Sequence, residues 1–181
     1  MFDNLLENIR CRFVNWALVF MVRRGKVAEL SLRDCWKDVN SCLVCLPREE
    51  LDKTAVEIIL NRLRDKFPDA KLTLLTLPGI MNSPPLEIAV KVINIQKKSL
   101  NILGLPLRQL KDEIIDIRPD IAIDLSPDYD SLAAYLCRTS RAKVSIAFAN
   151  HQGDLAYNYQ VAPHPSRVGL DRYRVLAKYI G

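Results

Sequence analysis

Two polar stretches of this chain hold residues suited to acid–base or ligand chemistry: Arg48 and Asp52 in "PREELD", and Asp124, Ser126, Asp128 and Asp130 in "IAIDLSPDYD". A carboxylate within hydrogen-bond reach of a substrate hydroxyl can take its proton, and an arginine beside it can hold a phosphate or carboxylate. Each stretch follows an apolar run, where a buried strand would open to solvent. Ser126, Pro127 and Asp128 also read as a helix start, with a hydroxyl at the cap, proline in the first turn and a carboxylate near the positive end of the dipole. Capping alone accounts for Ser126 and Asp128. Asp124 is different, because a carboxylate ending a buried strand loses hydration unless it meets a donor, a ligand or crevice water. The sequence leaves a site role and a structural hydrogen bond equally open for it.

Other chemistry is disfavoured. The loop "PREELDKT" has no glycine to let backbone amides close around a phosphate, and Glu49 and Glu50 would repel an anion, so NAD, FAD or ATP sites are not expected and no cofactor is. His151 and His164, in "NHQGD" and "APHPS", have no serine–aspartate order or metal-ligand spacing and are expected in surface loops; no metal is expected. Cys42 and Cys45 form a C-x-x-C inside the apolar run "SCLVCLP", with no second pair and no nearby histidine, so both are expected in the core. An odd set of 5 cysteines suits a reducing compartment.

The elements that must position these residues follow from periodicity. Short apolar runs at 42–47, 71–77, 89–95, 120–125, 142–148 and 159–163 alternate with amphipathic stretches "LDKTAVEIILNRLRDKF", "LRQLKDEIIDI" and "DSLAAYLCRTS", and "LDRYRVLAKYI" closes the chain. In the first stretch Ala55, Ile58, Ile59 and Leu63 share one side. Strands alternating with helices predict successive β-α-β units: an α/β, Rossmann-like, doubly wound and mostly parallel sheet of about six strands. Ligands of such sheets sit beyond the carboxyl ends of the strands where strand order reverses. With the first and fourth strands as neighbours, Asp52 and Asp124 would line one crevice. The rhythm breaks at "LPGIMNSPPLE", residues 77–87, expected as an ordered surface loop.

Residues 2–24 read as an amphipathic helix with Leu5, Leu6, Ile9, Phe13, Trp16, Ala17 and Phe20 at helical spacing. Burying Phe13, Trp16 and Phe20 on the protein's own core or a second copy is the first expectation, at about 1.5 to 3 kcal/mol each. A helix lying on an anionic membrane, flanked by arginines, is the second. Its apolar part is too short to span a bilayer, and the flanking charges do not suit a secretory signal. A cytoplasmic location, with peripheral contact at the inner membrane, is expected. Residues 1–39 are taken as helix and linker and 40–181 as the sheet domain. The net charge of +5 divides as +2 over residues 1–40, −2 over 41–137 and +5 over 138–181. That basic end lacks the clustered Lys/Arg and interleaved aromatics of a nucleic-acid groove, so no nucleic acid is expected.

Ordered segments resemble the N-terminal half of family 9 glycosyltransferases, the group that includes lipopolysaccharide heptosyltransferases. "RDKFPDAKLTLL" is similar to the family's Phe/Tyr-Pro-x-Ala and second strand, and "RPDIAIDLSPDYDSLAAYLCRTSRAKVSIAF" to its Asp-strand-Asp-Leu segment, helix and following strand. "LDRYRVLAKYIG" is similar to the helix closing the first domain. The resemblance spans about residues 40–181 and implies half of a GT-B fold, the acceptor-binding half, in lipopolysaccharide or envelope glycan assembly. It places Asp52 on the aspartate implicated as base; Arg48, Asp124, Ser126 and Asp128 are expected as acceptor-binding residues from their place at the strand-end crevice, Arg48 standing where the family has a small hydroxyl residue. The family's glycine before that base is Leu51 here, so the half is degenerate. Gly181 stands where the family's linker to its donor half would begin, so transfer is expected to need a partner carrying the nucleotide-sugar site. The other expectations are a homo-oligomer, a glycan or phosphosugar ligand, and a non-catalytic scaffold that docks through its N-terminal helix.

Overall fold

Runs such as "SCLVCL" and "IAID", apolar at nearly every position, cannot leave one face in water and so form strands covered on both sides. The structure, a computed structural model, describes residues 2–24, 36–48, 53–78 and 91–180, and in the first helix the side chains of 8–21. Its strands are β1 (Ser41–Leu46), β2 (Lys71–Thr76), β3 (Lys91–Asn94), β4 (Ile121–Asp124), β5 (Val144–Phe148) and β6 (Tyr159–Val161). Its helices are α1 (Phe2–Arg24), α2 (Lys53–Lys66), α3 (Arg108–Ile117), α4 (Ser131–Thr139) and α5 (Leu170–Lys178). The six strands form one sheet in the order β3-β2-β1-β4-β5-β6, every pair parallel, so the Rossmann-like reading holds. Most of the proline-rich stretch, residues 79–87, lies outside the described residues.

Alternation along the strands splits the core into two layers. On one face Cys42, Val44 and Leu46 of β1 pack with Ile59, Leu60 and Leu63 of α2 and Tyr173 and Leu176 of α5. On the other, Leu43 and Cys45 pack with Leu110 and Ile114 of α3, the inner residues of α4, and Val14 and Leu18 of α1. Cys42 and Cys45 thus point to opposite faces and cannot share a ligand. Between β5 and β6 the connection is only a 3-10 turn, Gly153–Leu155, and α1 lies across that turn and α4. Under this cover the run from Leu132 to Cys137 is buried at every residue, although a helix with one open face would show period-3.6 exposure.

At the amino ends of the central strands, Asp120 is a fastener. Its Oδ2 accepts from the backbone N–H of Asn40 and Ser41, and its Oδ1 pairs with Lys143 at 2.7 Å. Partial burial raises its pKa, but the bonds from Lys143 and the two amides outweigh that and hold the carboxyl below its usual value.

The expectation that Phe13, Trp16 and Phe20 face the core is overturned. Val14 and Leu18 are 2% and 0% exposed, while Phe13, Trp16 and Phe20 are 43%, 67% and 46% exposed. Leu18→Ala is therefore expected to cost about 2 to 4 kcal/mol through the cavity it leaves, whereas Trp16→Ala stays within about 1 kcal/mol, as surface changes do. Urea denaturation of the two variants beside the wild type checks this.

Candidate functional site

The chain runs outward from β1 through β2 to β3, then returns to β4 beside β1, so strand order reverses between β1 and β4. Cys45 and Asp124 are register partners at that point. Arg48 follows β1 on the rim, and Pro127 to Asp130 follow β4. Asp52, the expected base, and Glu49, Glu50 and Leu51 lie outside the described residues.

Asp124 does not open onto the crevice. Its residue is 2% exposed, its Oδ1 accepts from the backbone N–H of Ser126 at 2.9 Å and its Oδ2 from the Tyr157 hydroxyl at 2.5 Å. Burial pushes its carboxyl up to about 6, against the opposing hydrogen bonds from Tyr157 and Ser126. Burial and the neighbouring Asp124 charge likewise raise the Tyr157 hydroxyl, which stays protonated and donates. Beneath this pair the Cys45 and Cys137 sulfurs lie 3.6 Å apart, and their mutual hydrogen bond and burial raise the Cys45 thiol. Both are free thiols in an apolar layer, and the Cys45 thiol is held in its protonated form. Of the two roles open to Asp124 in the sequence, the geometry supplies the structural acceptor.

Ser126 and Asp128 are not the helix cap either. Asp130 is: its Oδ1 accepts from the amides of Leu132 and Ala133, while its Oδ2 pairs with Arg48 Nε. The segment before it is held irregular from outside, since the Tyr173 hydroxyl donates to the Leu125 carbonyl and Arg172 to the Pro127 carbonyl. Arg172 also lies over the Phe148 ring, 4.9 Å from its centre. Ser126 Oγ is buried and lies near the Asp124 carboxyl without a hydrogen bond of normal geometry. Thr76 Oγ1, at the carboxyl end of β2, is a second buried hydroxyl with no partner. Asp128 is exposed on the rim.

The rim thus gathers Arg48, Asp128 and Asp130 around the switch point, with Ser126 just below and Asp124 turned inward. Tyr157, Arg172 and Tyr173, which shape it, carried no local signal; each stands more than thirty residues from its partner. His151 and His164 are exposed, His164 bonded to Ser166. Among the described residues no group of three His, Cys, Asp or Glu could hold a metal. A cleft of about 940 Å³ lies at the opposite end of the strands, against Ser41, Lys71 and Lys91 at the starts of β1, β2 and β3. There Lys91 is paired with Glu113 and Arg108 with Asp112, so much of its charge is internally neutralised.

With this geometry in hand, one solved structure is informative: the crystal structure of the glycosyl transferase family 9 from Veillonella parvula DSM 2008. It superposes with a TM-score of 0.55 at 20% identity, covering 78% of this chain and 41% of that one. The likeness is one of fold. This chain therefore spans less than half the length of its structural neighbour. No protein-family description matches the chain, and no curated protein sequence does.

Because the Asp124 pKa is higher folded than unfolded, its contribution to stability is full below about pH 4 and is lost as pH rises through about 6. The effect is on the order of 3 kcal/mol. Asp124→Asn keeps an acceptor for Ser126 and places an N–H toward Tyr157. Its stability relative to wild type should rise between pH 4 and pH 7 by that order, measured as urea midpoints along the series.

Proposed function

We propose that this chain is a glycosyltransferase-like, acceptor-side half of a GT-B-type enzyme in lipopolysaccharide or envelope glycan assembly, joined in function by a partner that carries the nucleotide-sugar site. The observation that carries the reading is the six-stranded parallel order with its switch point between β1 and β4, matched by the family 9 neighbour over less than half of that neighbour's length. An acceptor would lie across the rim. Arg48 would receive a phosphate or carboxylate of the acceptor in competition with Asp130, and Asp128 would meet sugar hydroxyls; Ser126, expected from the sequence to bind the acceptor, has its hydroxyl buried and stays beneath the rim. Asp52 is the proposed base. It would take the proton of the acceptor hydroxyl as that oxygen attacks the anomeric carbon and the nucleoside diphosphate leaves with the electrons of the broken bond. Asp124 supports the rim from below and touches no substrate.

The test is binding first and chemistry second. Phosphorylated glycans are expected to raise the unfolding temperature of the chain, and nucleotide sugars to leave it unchanged. Arg48→Ala should weaken the glycan response about tenfold, the scale of one charge-assisted bond. With a donor-half partner present, Asp52→Asn should lower transfer by about 100-fold or more, the usual contribution of a general base, while glycan binding persists. Transfer by the purified chain alone would overturn the need for a partner. A response to nucleotide sugars and not to glycans would overturn the acceptor-side reading.

A further inference from the structure

Helix α1 is apolar on two opposite faces, and among the described residues one of them packs into the core while the other stands largely exposed. Val14 and Leu18 enter the core, whereas Ile9, Phe13 and Trp16, at spacings of four and three residues, lie on the far side and are 40%, 43% and 67% exposed. Phe20 continues that line, stacked on Trp16 with ring centres 6.0 Å apart. Beside Phe13 and Trp16 opens a groove of about 300 Å³ with Arg12 on its edge. Ile102, 84% exposed, stands next to the helix, its carbonyl accepting from Arg10 Nε.

We propose that this outer face of α1 docks on the surface of an anionic lipid bilayer. The residue types fit the headgroup boundary, where tryptophan and phenylalanine rings rest between water and acyl chains. The charges are complementary: residues 8–21 include Arg10 and Arg12 and no carboxylate, Arg23 and Arg24 follow, and the helix's acidic residues, Asp3 and Glu7, lie in its first two turns. Arg12 on the lip of the groove places a guanidinium where a lipid phosphate would sit, with acyl carbons against Phe13 and Trp16. The helix lies on the bilayer and does not cross it, since no helix among the described residues is long and apolar enough to span one.

Area argues against a second copy as the occupant. At these exposures, aromatic side chains of about 150 to 250 Å² each leave an outer stripe of roughly 300 to 400 Å². A stable dimer needs about 800 Å² from each partner. A bilayer has no such requirement, because electrostatic attraction adds to a small apolar insertion.

The experiment uses the full chain with vesicles of phosphatidylcholine alone or mixed with phosphatidylglycerol. Co-sedimentation is expected with the mixed vesicles and not the neutral ones, weakening as salt is raised. A Trp36→Phe background, which keeps the ring stacked on Phe67, leaves Trp16 as the one tryptophan, and its emission should shift to the blue on binding. The double change Phe13→Gln with Trp16→Gln should reduce binding at least tenfold without lowering the unfolding temperature, and Arg12→Gln about fivefold. Absence of binding to both vesicle types, equal binding to both, or full binding by the double variant would overturn the proposal. So would a dimer in solution that the double variant converts to monomer, because a second copy would then hold the stripe.

Discussion

A parallel sheet whose strands are apolar on both sides must be covered on both sides, and most features of this molecule follow from how that cover is assembled. One face receives α2 and α5, as the β-α-β connections supply them. The other receives α3 and α4, but the short passage from β5 to β6 brings only a 3-10 turn. The N-terminal helix makes up the shortfall. By lying across α4 and that turn it lets "LAAYLC" be apolar on every side and still be dry. Dehydration of that helix is in turn what leaves Cys137 and Cys45 as packing residues.

The same cover explains the fate of the carboxylate at the switch point. Asp124 lies on the α1 side of the sheet, where little water reaches, and it is tolerated because Tyr157 and the Ser126 amide satisfy its oxygens. A raised pKa is the residual cost of that burial. The hydrogen bond ties the start of β6 to the end of β4 and fixes the floor beneath the rim. Above the floor, Arg48 and Asp130 join the loop after β1 to the first turn of α4. Among the described residues, this end of the sheet is therefore divided between a closed interior pair and an open charged rim, and of the two it is the rim that faces solvent.

Likeness to a family 9 glycosyl transferase at 20% identity fits this division. A fold is kept by burial and register, which many sequences satisfy, whereas an activity rests on a few loop side chains. The sheet order and helix layers belong to the first kind. Under the proposed function, Arg48, Asp128 and Asp52 would belong to the second. The N-terminal helix adds a third element, an outer face of aromatic and basic residues that the sheet itself does not use.

Read alone, the sequence determined the strands, the helices and their parallel arrangement, because two-residue and 3.6-residue periods are local consequences of where apolar side chains must point. It also pointed to a core C-x-x-C, since the pair lies in an apolar run with no second pair and no nearby histidine. Tertiary structure decided the rest. A helix apolar on two faces carries no local preference for which one to bury, so the choice of Val14 and Leu18 over Phe13 and Trp16 waited for the surface of α4. Ser126 and Asp130 both had the residue type of a cap; bonds from Arg172 and Tyr173 hold the chain irregular until Asp130, and they come from more than forty positions away. Asp124 needed a donor, and only the folded sheet brings Tyr157, 33 residues distant, to its carboxylate.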